Sequence, residues 1–176
     1  YCRRNYKKYI GGIYWINADT ADSINQSFRD IAVEDMGMEL QIEKIEPDMI
    51  IGKVIKQFNN LNNWLLIFDN ADNLRVLNNM KCMPQAGNGT GHILLTTRAG
   101  QNAQSNGFTN LGIDMNTDMI HMTTLRPKDA VALLHRFAPN SNGLKHDENE
   151  KALEWLAGPE ALDGLPLALC QAGAFV

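Results

Sequence analysis

The chain has 176 residues, of which 44% are hydrophobic and 20% are charged, a composition typical of a globular protein with one sizeable core. Its formal net charge of −4 argues against direct nucleic-acid binding, because such binding needs a basic patch to neutralise phosphates. The apolar runs are far shorter than the roughly 20 residues that a membrane-spanning helix needs, and no signal-peptide pattern opens the chain. We therefore expect a cytoplasmic protein that contacts neither membrane nor nucleic acid directly.

Apolar runs of strand length alternate with helically spaced apolar residues through the first part of the chain. Such alternation indicates βαβ units and a mainly parallel sheet with flanking helices. Asp22 or Ser23 is a possible cap of the first helix, and Gly37 ends that helix. The predicted strands are Gly11–Thr20, which should be buried, Trp64–Phe68, the run from His92, and a short fourth strand at Asp118–Met122; the predicted helices run to about Met36 and from about Asp48 to Asn60.

The strand signal disappears from Pro127 onward. Pro127 stands where a proline favours the first position of a helix, and apolar residues with helical spacing follow it. Further helices are predicted at about Glu148–Ala157 and from near Leu165. We therefore divide the chain into an α/β part, residues 1–125, and the start of a small helical subdomain, residues 126–176.

A carboxylate stands at the end of the most apolar predicted strand, in the run WLLIFDNADN. Ligands of an open parallel sheet bind outside the carboxyl ends of its strands, so Asp69 can reach a ligand while the strand stays buried. In P-loop nucleotide hydrolases an Asp at this place, the Walker B carboxylate, holds Mg²⁺. The alternative is that Asp69 only caps the next turn or helix.

Two further motifs follow along the chain. The run ILLTTR ends in Arg98, whose guanidinium could bind a terminal phosphate or could pair with a surface carboxylate. In the run GLPLAL, Gly164–Leu169, the glycine allows a tight turn and Pro166 begins a helix at low conformational cost. The start of a helix is sufficient to explain the GLPLAL motif, without a functional role.

The three motifs in this order resemble the NB-ARC domain of the STAND class of P-loop NTPases. That family includes plant disease-resistance receptors, the apoptotic-protease activating factor, and fungal and animal proteins with tetratricopeptide or WD40 repeats. The resemblance covers nearly the whole chain: GGIYWINADT is similar to the second strand, WLLIFDNAD to Walker B, GHILLTTR to the sensor strand, and LDGLPLALCQAGAFV to the GLPL region. The sequences FDNAD and GLPLALCQAGAFV are more similar to the tetratricopeptide-linked branch of the family than to the plant receptors.

The resemblance implies a P-loop NTPase fold of the AAA+/STAND type, followed by a helical lid. It implies that Asp69 binds Mg²⁺, that Arg98 senses the γ-phosphate of the adenine nucleotide, that Thr97 also contacts the nucleotide, and that Leu165 and Pro166 lie against the adenine. The implied catalytic residues are Asp69, Asn70 and Arg98. The implied function is a signal-transduction switch, in a multidomain signalling or innate-immunity-type receptor, in which ADP binding holds a closed state. ATP binding then favours an open state that oligomerises with other NB-ARC protomers, and a downstream repeat domain is expected.

Two departures from the family pattern limit what the resemblance implies. Asn70 replaces the second acid that orients the attacking water in many members, and an amide cannot take a proton from that water. Asp72 lies close by, and whether it substitutes for that acid stays open. No G-x-x-x-x-G-K-[ST] motif is present, so we expect a fragment that begins after Walker A, is marginally folded by itself, and binds ATP weakly or not at all. Its third strand, at Ile93 to Leu95, would then lack a hydrogen-bonded neighbour, which would leave an apolar edge exposed or displace the final strand.

These departures leave two alternatives to the switch. The first is a degenerate scaffold that keeps the fold for protein contacts without hydrolysing ATP. The second is a STAND-type transcription regulator, which would need a DNA-binding domain outside this chain.

Overall fold

The computed structural model describes residues 2–38, 44–84, 90–99, 105–137 and 146–174. The chain divides into two compact units, Tyr1–Met119 and Ile120–Val176, each with its own apolar core. Within the described ranges, no helix combines the length and the apolar character needed to cross a membrane.

The first unit is an α/β structure around a small parallel sheet, as the alternating pattern predicts. Its strands are β1 (Ile13–Asn17), β2 (Leu65–Asp69) and β3 (His92–Leu95), and they lie side by side in the order β1-β2-β3. Both pairings are parallel, with Asn17 opposite Asp69 and Phe68 opposite Leu95. The carboxyl ends of all three strands therefore meet at one edge of the sheet.

The predicted fourth strand at Asp118–Met122 is wrong. These residues lie in a turn and in backbone that pairs with no strand of the described chain. The N–H of Asp118 donates to the backbone oxygen of Asp114 at 2.8 Å, and the Asp118 carboxylate accepts from the Asp114 N–H at 2.9 Å. Such local hydrogen bonds of aspartate favour a turn over a ladder between strands.

The predicted helices are present, with modest shifts at their ends. The N-cap of the helix that begins at Ala21 is Thr20, whose hydroxyl accepts from the N–H of Ser23 in a capping box, so neither Asp22 nor Ser23 is the cap. Gly37 ends this helical segment with a φ of 64°. The helices are α1 (Cys2–Asn5, continued by a 3₁₀ turn at Tyr6–Lys8), α2 (Ala21–Asp30, continued by a π-helical turn at Ile31–Asp35), α3 (Pro47–Phe58), α4 (Leu74–Met80), α5 (Ser105–Asn110), α6 (Pro127–Phe137), α7 (His146–Ala157) and α8 (Pro166–Gly173).

Strand β2 is central, and this explains its continuous apolar run. Leu66 and Phe68 belong to the main core, which the helices that follow β1 and β2 also build. Leu65 and Ile67 point to the other face of the sheet, where they pack with Tyr9. A strand that is buried on both faces reads as an uninterrupted apolar run, so the sequence signal and the position agree.

The two outer strands are less buried than their sequences suggest. On β1, Ile16 is fully buried but the Trp15 side chain is 57% exposed, so the predicted burial of this strand holds for one face only. On β3, Ile93 and Leu94 are 40% and 42% exposed, and β2 is the one strand paired with β3 among the described residues. β3 therefore presents partly exposed apolar side chains.

The second unit consists of three helices around a small core. The packing of α6, α7 and α8 buries Leu134, Leu153 and Leu169. Gly164 precedes α8 with a φ of 63°, and a Cβ at this position would lie 2.4 Å from the backbone oxygen of Leu125. The glycine of the GLPL motif is therefore required by the turn and by this close backbone approach.

Candidate functional site

Backbone hydrogen bonds continue past the formal ends of the three strands. The N–H of Ala18, after β1, donates to the oxygen of Asp69 at 2.7 Å. The N–H of Thr96, after β3, donates to the oxygen of Phe68 at 2.9 Å, and the N–H of Ala71 donates back to the oxygen of Thr96 at 2.8 Å. The polar residues that follow β2 and β3 are consequently held against each other by the sheet itself.

Asp69 and Thr96 form the first side-chain link between the ends of β2 and β3. The Thr96 hydroxyl donates to Asp69 Oδ1 at 2.5 Å and accepts from the backbone N–H of Asn70 at 3.0 Å. Asp69 is half-buried, and its Oδ2 has no partner among the described residues. One carboxylate oxygen is therefore fixed by the hydroxyl, while the other remains able to bind a cation or a donor.

Asp72 and Arg98 form the second link. Asp72 Oδ1 accepts from the backbone N–H of Arg98 at 2.7 Å, and Oδ2 accepts from Arg98 Nε at 2.6 Å and pairs with Nη2. The hydroxyl of Thr97 makes a longer contact of 3.5 Å with Oδ1. We call the five residues Asp69, Asp72, Thr96, Thr97 and Arg98 the strand-tip cluster.

The electrostatics of the strand-tip cluster follow from this pairing. Hydrogen bonds from the Arg98 backbone and side chain, together with the charge of Arg98, lower the pKa of Asp72. The hydrogen bond and the charge of Asp72 raise the pKa of Arg98, and the charge of Asp19 has a smaller effect in the same direction. Both members of the pair are therefore ionised throughout the physiological range, although 91% of the Arg98 side chain is exposed to solvent.

Asn70, the other predicted catalytic residue, has a left-handed backbone with a φ of 61°. Asparagine tolerates this conformation better than most residues that carry a Cβ. Its side chain is exposed and has no hydrogen-bond partner within the described chain. The turn after β2 is thus a structural reason for an asparagine at this position, independent of any role in positioning water.

Leu165 and Pro166, the predicted adenine contacts, belong to the second unit. Leu165 is the residue before α8 and its side chain is 51% exposed, and Pro166 occupies the first position of α8. Both residues follow the Gly164 turn described above, so the start of α8 explains the motif in structural terms.

The sequence identified three members of the strand-tip cluster, namely Asp69, Thr97 and Arg98, but not the partners that hold them. The sequence indicates no role for Thr96, and it suggests Asp72 only as a substitute for the second acid. The signal that was available is the doubled threonine directly after a strand, since hydroxyls there can bridge to the neighbouring strand end. Contact between Asp72 and Arg98 has no such signal in the sequence.

Comparisons with known proteins do not assign a family to this chain. A scan against protein-family models finds no match, and a search of curated proteins finds no significant match.

Proposed function

We propose that this chain contributes the strand-tip half of an adenine-nucleotide switch of the NB-ARC type, built on a P-loop NTPase fold. In this proposal, ADP stabilises a closed state of the full-length protein. ATP favours an open state that associates with further copies of the protein, in a signalling or immunity-type receptor. Nucleotide exchange or slow hydrolysis moves the protein between the two states.

The observation that carries the proposal is the arrangement of Asp69 and Arg98. Asp69 is the last residue of β2 and Arg98 lies shortly after the neighbouring parallel strand β3, and Thr96 and Asp72 link the two strand ends through side-chain hydrogen bonds. A carboxylate and a guanidinium side by side at the carboxyl ends of parallel strands suit a ligand that combines a cation with a phosphate.

The residues present fit Mg²⁺ and the outer phosphates of a nucleotide. Mg²⁺ in nucleotide sites is commonly held by one or two carboxylates together with phosphate oxygens, so a dedicated protein cage is not needed. Asp69 has one oxygen without a partner in the described structure, and the exposed guanidinium of Arg98 can donate to a phosphate. When bound, Mg²⁺ would neutralise charge on the phosphates, while Arg98 would report on the terminal one.

The experiment compares ATP and ADP binding by the full-length protein in isothermal titration calorimetry with Mg²⁺. We expect Arg98→Ala to weaken binding of a non-hydrolysable ATP analogue roughly tenfold or more, because a charge-assisted contact with the terminal phosphate is lost. ADP, which lacks that phosphate, should lose less than about threefold in affinity. Asp69→Asn should remove most of the dependence of ATP binding on Mg²⁺.

The control variant is Arg75→Ala, which removes an exposed arginine of α4 that makes no ion pair within the described structure. It should leave both affinities unchanged. Equal losses for ATP and ADP in Arg98→Ala, or no nucleotide binding by the full-length protein, would contradict the proposal.

Asn70 favours one second candidate, a scaffold that binds partners without hydrolysing ATP. Its amide cannot accept a proton from water, and the left-handed turn already accounts for its presence. This candidate predicts that the full-length protein releases no phosphate from ATP, whereas the switch with slow hydrolysis predicts a measurable release that Asp69→Asn abolishes.

A further inference from the structure

The turn after β2 carries Asp72 toward the end of β3. Asn70 reverses the chain with its left-handed backbone, and the N–H of Ala71 then donates to the oxygen of Thr96 at 2.8 Å. Ala71 is fully buried, which anchors the turn in the core. The next residue, Asp72, therefore lies beside the backbone of Arg98.

Asp72 holds Arg98 at two points. Its Oδ1 accepts from the Arg98 backbone N–H, and its Oδ2 binds the side of the guanidinium that carries Nε and Nη2. A carboxylate that binds both the backbone and the side chain of one arginine restricts the rotamers of that arginine. The other end of the guanidinium, Nη1, has no partner among the described residues, and the side chain as a whole is 91% exposed.

We propose that Asp72 is a positioning residue that orders Arg98 and directs the free Nη1 end of its guanidinium toward the terminal phosphate of the nucleotide. This inference rests on the proposed function. An arginine that is already ordered loses less rotamer freedom when it binds a ligand, so its contact contributes more to affinity. Asp72 thereby increases discrimination between ATP and ADP without touching the nucleotide.

The same contacts argue against Asp72 as a replacement for the missing second acid. Both of its oxygens accept hydrogen bonds from Arg98, and the pairing keeps the carboxylate ionised and engaged. The same pairing lowers the pKa of Asp72, which makes this carboxylate a weaker base toward the attacking water. Asp72 therefore acts through Arg98 rather than on water.

The test measures the ratio of ATP-analogue affinity to ADP affinity for the full-length protein by calorimetry with Mg²⁺. Asp72→Asn keeps the size of the side chain but cannot accept hydrogen bonds at both terminal atoms. We expect it to lower the ratio roughly twofold to tenfold, which corresponds to the cost of ordering one long side chain. The Asp72→Glu variant, which restores the charge, should recover part of the ratio.

The matched control is Asp19→Asn. Asp19 also acts electrostatically on Arg98, but the structure shows no hydrogen bond between the two residues. The control removes the same charge, so an effect of net charge alone would appear equally in Asp19→Asn and Asp72→Asn. We expect the ratio to change less than twofold in Asp19→Asn, since exposed charges at a distance interact weakly.

A double-mutant cycle with Arg98→Ala separates the remaining outcomes. If Asp72 acts through Arg98, then adding Asp72→Asn to Arg98→Ala changes the ratio no further. A further loss in the double variant, or an equal effect of Asp19→Asn, overturns the inference while leaving the proposed function standing. If Arg98→Ala itself leaves the ratio unchanged, the proposed function fails and the inference fails with it. Circular dichroism of each variant establishes that the fold is retained.

Discussion

The left-handed backbone of Asn70 gives a quantitative prediction about the turn that builds the strand-tip cluster. At a φ of 61°, a residue with a Cβ and no polar side chain is strained by about 1–2 kcal/mol, whereas glycine is not and asparagine is intermediate. Replacing Asn70 with Ala should therefore lower the free energy of unfolding by about 1 kcal/mol. Replacing it with Gly should change that energy by less than about 0.5 kcal/mol, because relief of strain offsets the larger entropy of the unfolded chain.

The structure offers few other reasons why a substitution of Asn70 would change the free energy of unfolding. The hydrogen bonds of Asn70, from its N–H to the Thr96 hydroxyl and from the Asp72 N–H to its oxygen, use backbone atoms that every substitution keeps. Its side chain is exposed and creates no cavity when truncated. Urea denaturation measures the energy directly, and for a chain of this size 1 kcal/mol corresponds to a shift in Tm of about 2–4 °C.

Asn79 provides the matched control, since it is exposed, lies within α4 and is not among the residues with a positive φ. There the order should reverse: Asn79→Gly should destabilise more than Asn79→Ala, because glycine gains freedom in the unfolded state without relieving strain. Alanine is a strong helix former, so the alanine variant loses little. If Asn70→Ala is as stable as the wild type and Asn70→Gly is less stable, the reasoning about the turn is wrong.

Two other predictions concern the core of the first unit. Gly91→Ala would place a Cβ 1.9 Å from the ring of Trp64, which is held by a hydrogen bond from its Nε1 to the Phe58 oxygen, so we expect a loss of about 1–3 kcal/mol in urea denaturation. If Gly91→Ala lowers the free energy of unfolding equally in a Trp64→Leu background, where the ring is absent, the explanation by a clash with Trp64 is wrong. Burial raises the pKa of Cys82 from 9.0 to about 12, so the free energy of unfolding should fall as the pH rises from about 9 toward 12, because only the unfolded state ionises freely. Cys82→Ala should remove that part of the pH dependence, and an unchanged slope would refute it.

Local patterns in the sequence were sufficient for most elements. The periodicity after Pro47 and Pro127 predicted α3 and α6, since each helix buries one apolar face. The run that became β2 predicted a strand because every one of its residues is apolar until Asp69. The parallel arrangement brings the carboxyl ends of β2 and β3 to one edge of the sheet, with Asp69 at the end of β2 and Arg98 shortly after β3.

The same patterns failed where a neighbour decides the outcome. The apolar residues of β3 predicted a strand but not its exposure, because exposure depends on what covers the sheet edge. The fourth strand failed because a strand needs a partner, and the aspartates at its start favour their own turn.

The sequence alone therefore determined the three strands, the longer helices, and the two charged residues, one at the end of β2 and one shortly after β3. Only the tertiary structure decided which groups those residues contact, because the left-handed turn at Asn70 and the register of β3 bring Asp72 to Arg98 and Thr96 to Asp69. A contact between side chains that are 26 or 27 positions apart depends on geometry accumulated over both strands, and no local periodicity records it.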